Sequence, residues 1–265
     1  MEALRFGTFL APSVLPVYQA VTSAVGNALG IPVRLADETS YASYLEDRND
    51  VSFVCSLAHI VFERRSETSA IPVAAPVLTD PRYGGAPIYF SDVIVHRDSP
   101  FHSFEDLRGR SWAFNETLSH SGYGITRYHL LQLGEVDGFF GNVVKSGLHS
   151  ASIGMVANHA IDASGIDSHV LAVAMRDKPE LADRLRIVET LGPSTIQPVT
   201  ISSRIEPQLR SDITEVLLSL HDDPAVAVAL AHGFVERFAA VGPESYDDIR
   251  GMLDACEAAD FMEVA

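Results

Sequence analysis

Short apolar runs alternate with helical segments through the first 65 residues, and that alternation leaves the chain few folds to adopt. Leu4–Leu10 reads as a short buried strand. From Val14 the apolar positions Val17, Tyr18, Val21, Val25 and Leu29 follow at helical spacing, and Gly30 stops the helix. Ile31, Val33 and Leu35 alternate as a second strand. Thr39 or Ser40 can cap a helix over Tyr41–Arg48. Val51–Cys55 is a third strand and Ser56–Arg65 a third helix. A βαβαβα order implies a parallel sheet with helices on both faces.

Ile71–Leu78 and Ile88–Val95 read as further strands, separated by the turn Asp80–Gly85. Composition shifts at Asp98-Ser-Pro100, Phe104–Gly109 is a short helix, and a second alternating unit follows. Its predicted elements are a strand at Ser111–Phe114, a helix at Ile125–Leu133 stopped by Gly134, and a strand at Gly141–Val144. A helix at His149–Asn158, a strand at Ile161–Ala163 and a helix from Asp167 complete it. Leu185–Glu189 and Val199–Ser202 look like strands returning to the first unit, and Pro207–Leu220, Pro224–His232 and Ser245–Cys256 are helical. The parse is an α/β chain of two lobes, each a mixed sheet flanked by helices. Residues 1–90 and 196–265 form one lobe and 91–195 the other, with crossings near Tyr89–Val95 and Thr190–Val199. A ligand is expected between the lobes, where strand-to-helix loops converge.

The loop Asn115–Gly124 carries the chemistry. It joins the Ser111–Phe114 strand to a helix, so Ser119, His120 and Ser121 stand at a helix mouth. The first turn there leaves backbone N–H groups unpaired, and the dipole end is positive. Two hydroxyls and an imidazole beside those groups suit a tetrahedral oxyanion. A serine before a helix is also an ordinary N-cap, and the cap accounts for the hydroxyls equally well. The loop lacks the lysine of a nucleotide P-loop, and Ser119 stands where a hydrolase elbow needs glycine. Lys145-Ser-Gly-Leu-His149 precedes another helix, placing His149 at a second helix mouth.

A net charge of −16 argues against nucleic acid and anionic membrane surfaces as partners. An anion pocket tolerates that charge because surface charges are screened over roughly 8 Å while pocket dipoles act at contact. The two cysteines, Cys55 and Cys256, suggest no disulfide framework and no zinc site. His149, His159 and His169 are ten apart, which is not a metal-binding helix spacing, so no metal or other cofactor is expected. No stretch reaches membrane-spanning length, so no direct membrane insertion is expected. Leu4–Leu10 reads as a strand and not as a secretory leader. That leaves two placements open: an extracytoplasmic protein whose leader was removed, or a cytoplasmic one.

Ordered along the chain, these residues form a series that resembles a known family. The series runs through Ser-Tyr41, Asp50-Val-Ser-Phe-Val, Tyr89-Phe-Ser-Asp-Val-Ile-Val and Asp98-Ser-Pro with Glu105-Asp-Leu-Arg-Gly. It continues with Ser119-His-Ser-Gly-Tyr, Gly147-Leu-His149 and the pair Ile161-Asp-Ala and Ile166-Asp-Ser168. It resembles the substrate-binding proteins of phosphonate, phosphite and phosphate ABC transporters, which have the type 2 periplasmic binding-protein fold. The resemblance implies that Ser119, His120 and Ser121 hold the oxygens of a small oxyanion. His149 and the tyrosines Tyr41 and Tyr89 join them, and a membrane permease is the partner. His120 departs from the family's usual small hydroxyl residue, so it either adds a donor or narrows the pocket. Where relatives place carboxylates for an amine, this chain has His169 and Gln197, which favours a ligand without a cationic tail. If His120 or His149 touches the anion, protonation is expected to strengthen binding between about pH 7.5 and 5.5. Two other classes share the architecture: a cytoplasmic enzyme of the menaquinone-biosynthesis type, and a sensory binding domain. No carboxylate pair or nucleophile–base spacing in the chain demands catalysis.

Overall fold

The structure, a computed structural model, describes residues 3–264. Its strands, in chain order, are β1 Leu4–Thr8, β2 Val33–Asp37, β3 Val51–Phe53, β4 Ile71–Leu78, β5 Ile88–His96 and β6 Ser111–Phe114. They continue as β7 Asn142–Lys145, β8 Ala163–Asp167, β9 Leu185–Thr195, β10 Val199–Ile201 and β11 Val235–Ala240. The helices that matter below are α1 Leu15–Leu29, α2 Ala42–Leu45, α3 Ser56–Arg64, α4 Ile125–Gln132, α5 His149–Ala157 and α6 Ser168–Asp177. The chain divides into two units. One is Met1–Ile88 with Thr195–Asp247, the other Tyr89–Ser194 with Asp248–Ala265.

The first unit is built on a six-stranded sheet in the order β11-β4-β10-β3-β1-β2. β1 runs parallel to β2 and β3, as the opening βαβαβ pattern demands. β10 and β11 then enter antiparallel, making the sheet mixed. Helix α1 ends where Gly30 takes a left-handed conformation (φ 65°), a backbone state glycine adopts without a Cβ penalty. Its apolar stripe covers the sheet: Val21 and Val25 are fully buried, and the Tyr18 ring stacks on Phe53 with centroids 4.3 Å apart.

The second unit is a five-stranded mixed sheet in the order β7-β6-β8-β5-β9. Strand β6 shows why the pattern works. Its alternate residues Trp112 and Phe114 enter one core with Phe104, Leu130, Phe139 and Phe140. Ala113 faces the opposite core with Ile94, Ile153, Val156 and Ile166. Trp112 stacks on Phe140 at 4.7 Å and Phe104 on Phe139 at 5.3 Å. Among the described residues, sixteen buried ones make up the first of these cores, and Phe261 and Val264 from the C-terminal segment are among them.

Several expectations change here. The strand expected at Ile161–Ala163 is Ala163–Asp167 instead, because it must register with two neighbours: Trp112 faces Ala163 on β6, and Ser91 faces Asp167 on β5. The strand expected at Leu185–Glu189 runs on to Thr195 and forms an edge of the second sheet, so it does not return to the first. Val235–Ala240 is a strand that no sequence pattern had indicated, paired antiparallel with β4. Residues 196–265 had been expected to lie wholly in the first lobe. Residues 248–265 belong to the second unit, held there by Phe261, Val264 and a partly buried Met252 on its core.

Candidate functional site

Strand β6 ends at Phe114, and Asn115–Leu118 carry the chain to Ser119, the N-cap of a wide helical turn, His120–Gly124. That stretch had been expected as loop. It is π-helical, a rare form that occurs frequently at functional sites. The backbone N–H groups of Tyr123 and Gly124 both reach the Ser119 carbonyl, at 3.2 and 3.0 Å. Ser119 Oγ accepts from the Gly122 N–H at 3.2 Å. Helix α4 continues from the turn, so its positive end opens on Ser119–Gly122. Glycine at 122 leaves room for the turn, since a Cβ there would displace the Asn115 side chain and press on Ser119 Oγ.

His149 opens α5, and its Nε2 lies 3.3 Å from Ser121 Oγ. Burial lowers the His149 imidazole below its usual pKa, and the nearby Asp167 carboxylate pulls only partly the other way. Burial therefore favours the neutral ring, which has one donor nitrogen and one acceptor nitrogen. If Nε2–H donates to Ser121 Oγ, the serine hydroxyl keeps its own proton for an outside acceptor. Nδ1 of His149 is buried and meets no partner among the described residues.

His120 is 1% exposed. Its Nε2 sits 2.9 Å from Ser194 Oγ, and its ring centroid lies 6.3 Å from that of Tyr89. Burial pushes this imidazole down to about 3. For His120 this runs against the expectation that protonation strengthens binding between pH 7.5 and 5.5, because desolvation keeps that ring uncharged there. For His149 burial acts in the same direction.

Of the residues singled out from sequence, Tyr89, Ser119, His120, Ser121, His149 and His169 lie in the second unit, and Tyr41 and Gln197 in the first. Tyr89 is buried on β5. His169 is the second residue of α6, and its backbone N–H donates to Asp167 Oδ1 at 2.8 Å. Tyr41 is the N-cap residue of α2, with its ring stacked on Phe9 at 5.2 Å and edge-on to Phe62. Gln197 is half-buried between β9 and β10. Arg127, the arginine on α4, is turned to the C-terminal segment, where Nη1 donates to the Met262 carbonyl at 3.1 Å. Three residues that the sequence did not flag shape the turn: Asn115, Ser91 and Gly165. Ser91 Oγ donates to the Ser121 carbonyl at 2.6 Å. Gly165 leaves room for that bond, since a Cβ there would lie 2.8 Å from Ser91 Oγ and 3.2 Å from the Ser121 oxygen. Ser91 and Asp92 were the available signal, two polar residues inside the apolar run of β5.

A family model for the periplasmic phosphonate substrate-binding proteins of ABC transporters matches residues 9–246. The chain belongs to this family. Phosphonate-transport binding proteins serve uptake and are not enzymes, and membership implies a small ligand and a permease partner. The binding-protein component of an ABC phosphonate transporter from Pseudomonas aeruginosa superposes with a TM-score of 0.84 at 18% identity, covering 97% of this chain and 87% of the other. PhnD1 from Prochlorococcus marinus, solved in complex with methylphosphonate, gives 0.83 at 18% identity, covering 97% and 98%. A Xanthomonas citri protein solved bound to ATP gives 0.66 at 21% identity, covering 99% and 100%. All three share the fold of this family member. Among the described residues no helix is long and apolar enough to cross a membrane.

Proposed function

We propose that the chain captures a small phosphorus oxyanion, namely phosphate, phosphite or an alkylphosphonate, outside the cytoplasm and hands it to an ABC permease. The observation that carries this reading is the turn Ser119–Gly122. It places two serine hydroxyls at the positive end of a helix, one of them in contact with a buried neutral histidine. These are neutral donors. Hydrogen bonds to an anion from such donors are roughly twice as strong as neutral pairs, and no lysine or arginine has to lose its hydration shell to make them. Ser119, Ser121 and His149 are the proposed contacts in the second unit. His120 and Tyr89, whose rings lie 6.3 Å apart, are proposed as further contacts, and Tyr41 is proposed to add a hydroxyl from the first unit. His169 and Gln197 are proposed as selectivity positions. Neither is a carboxylate, which favours a ligand without an amine.

Methylphosphonate, the ligand of the Prochlorococcus structure, leads the test panel, with phosphate, phosphite, aminoethylphosphonate and sulfate beside it. A ligand present at a hundred times its Kd adds about 2.7 kcal/mol of stability, which a thermal-shift assay reads directly. A rise with a phosphorus oxyanion and none with sulfate or aminoethylphosphonate is expected. Stability unchanged by every member of the panel overturns the reading.

A further inference from the structure

We infer that Ser91 is a positioning residue for the oxyanion site, holding the peptide between Ser121 and Gly122 so that the Ser121 hydroxyl keeps one direction. The inference rests on the proposal that Ser121 is a ligand contact. A peptide unit is planar, so its C=O and N–H turn together. Here both ends are tied: the Ser121 carbonyl accepts from Ser91 Oγ at 2.6 Å, and the Gly122 N–H donates to Ser119 Oγ at 3.2 Å. Turning that plane means changing ψ of Ser121 and φ of Gly122, which alters the angle between the Ser121 side chain and the residues of the turn that follow it. The π-helical turn makes the tie from Ser91 consequential. Regular helix geometry holds every carbonyl with an N–H four residues on. In this turn the Ser119 carbonyl takes Tyr123, four residues on, and also Gly124, five on, and the His120 carbonyl takes Ile125, five on.

Ser91 lies on β5, 1% exposed, beside Asp92 in a mostly apolar run. A hydroxyl buried there is costly unless it is hydrogen-bonded, and its bond goes to the one residue of the turn whose side chain also meets His149. On the neighbouring strand β8, Gly165 is the position where a methyl group would intrude on the same bond. Two sheet strands therefore meet the helix mouth at one hydroxyl. Ser91 touches no ligand in this scheme; it acts through Ser121.

The test measures methylphosphonate affinity by calorimetry and amide hydrogen exchange at Gly122, in wild type, Ser91→Ala, Ser91→Thr and Gly165→Ala. Ser91→Ala is expected to weaken methylphosphonate about tenfold, the scale of one lost buried hydrogen bond, and to speed exchange at Gly122 in the unliganded protein. Ser91→Thr keeps the hydroxyl and is expected to retain affinity and protection. Gly165→Ala crowds the same bond from β8 and is expected to follow Ser91→Ala. A role in stability alone would shift the unfolding midpoint of Ser91→Ala and leave the affinity of the folded protein intact. Wild-type affinity in Ser91→Ala, or equal losses in the alanine and threonine variants, overturns the inference. Should Ser91→Ala not fold, the contrast between Ser91→Thr and Gly165→Ala decides in its place. Wild type that binds no phosphorus oxyanion sinks the proposed function. The clamp itself then stands or falls on Gly122 exchange, and unchanged exchange in Ser91→Ala overturns it.

Discussion

Replacing His120 by glutamine should make the protein less sensitive to acid. In the fold this imidazole is buried against Ser194 Oγ and Tyr89, and its pKa falls to about 3 because the charged form is desolvated. In the unfolded chain it titrates near 6.5. The sign follows from linkage. Between those two values the unfolded state holds a proton that the folded state refuses, so stability falls as pH drops below about 6.5 and stops falling near 3. At pH 5 the medium is about 1.5 pH units below the unfolded midpoint, and each unit is worth about 1.36 kcal/mol, so the loss through this one ring is ~2 kcal/mol. Glutamine does not titrate, and its amide can reach the Ser194 hydroxyl in place of Nε2. Urea denaturation of wild type and His120→Gln at pH 7 and pH 5 gives the answer. Wild type is expected to lose ~2 kcal/mol more than the variant across that interval. The same loss in both proteins, or a His120 ring signal titrating above pH 5, refutes the reasoning. His149, His129 and His96 are also lowered by burial. They add acid sensitivity to both proteins alike and leave the difference intact.

Three other outcomes are expected. Ser121→Ala should weaken methylphosphonate by about tenfold or more, the cost of one hydrogen bond to a charged group, with an unchanged circular-dichroism spectrum; unaltered affinity in calorimetry contradicts the proposed contact. Gly122→Ala drives a methyl group into Asn115 Oδ1, so it should lose both stability and oxyanion binding, the first read by denaturation and the second by calorimetry. Tyr123→Phe removes the hydroxyl that accepts from the Val264 N–H at 3.1 Å and should cost about 1 kcal/mol in denaturant unfolding, with little change in affinity.

Much of this was legible from side-chain pattern. Ser111–Phe114 was read correctly because a strand covered on both faces is continuously apolar. The α1 stripe and its Gly30 stop were equally plain. The helix starts at Ser119 and His149 could be read because serine and glycine punctuate the chain just before each helical run. Strand β8 was misplaced because Ala-Ser-Gly-Ile-Asp has no apolar run, and its position is set by pairing with β5 and β6. The roles of Ser91 and Gly165 were invisible for a related reason. Their meaning lies in a bond to a residue 30 positions away from Ser91, and no local period reports such a bond. The π turn hid for the opposite reason, since Ser, His and two glycines argue locally for a loop. Which unit Phe261 and Val264 would join could not be read either, because two apolar residues beyond the last helix show no period and do not name the partner that buries them.

That last placement has a consequence for synthesis. The second unit's aromatic core includes Phe261 and Val264, and the first unit's sheet needs β10 and β11 to fill its order. Neither half is complete while the ribosome is still making residues 195–264. Domain-by-domain folding from the N-terminus, the usual course for chains of this size, is closed to this one. The emerging polypeptide has to carry an unfinished first sheet until β11 is made, and an aromatic core in the second unit that stays open until Phe261 and Val264 arrive.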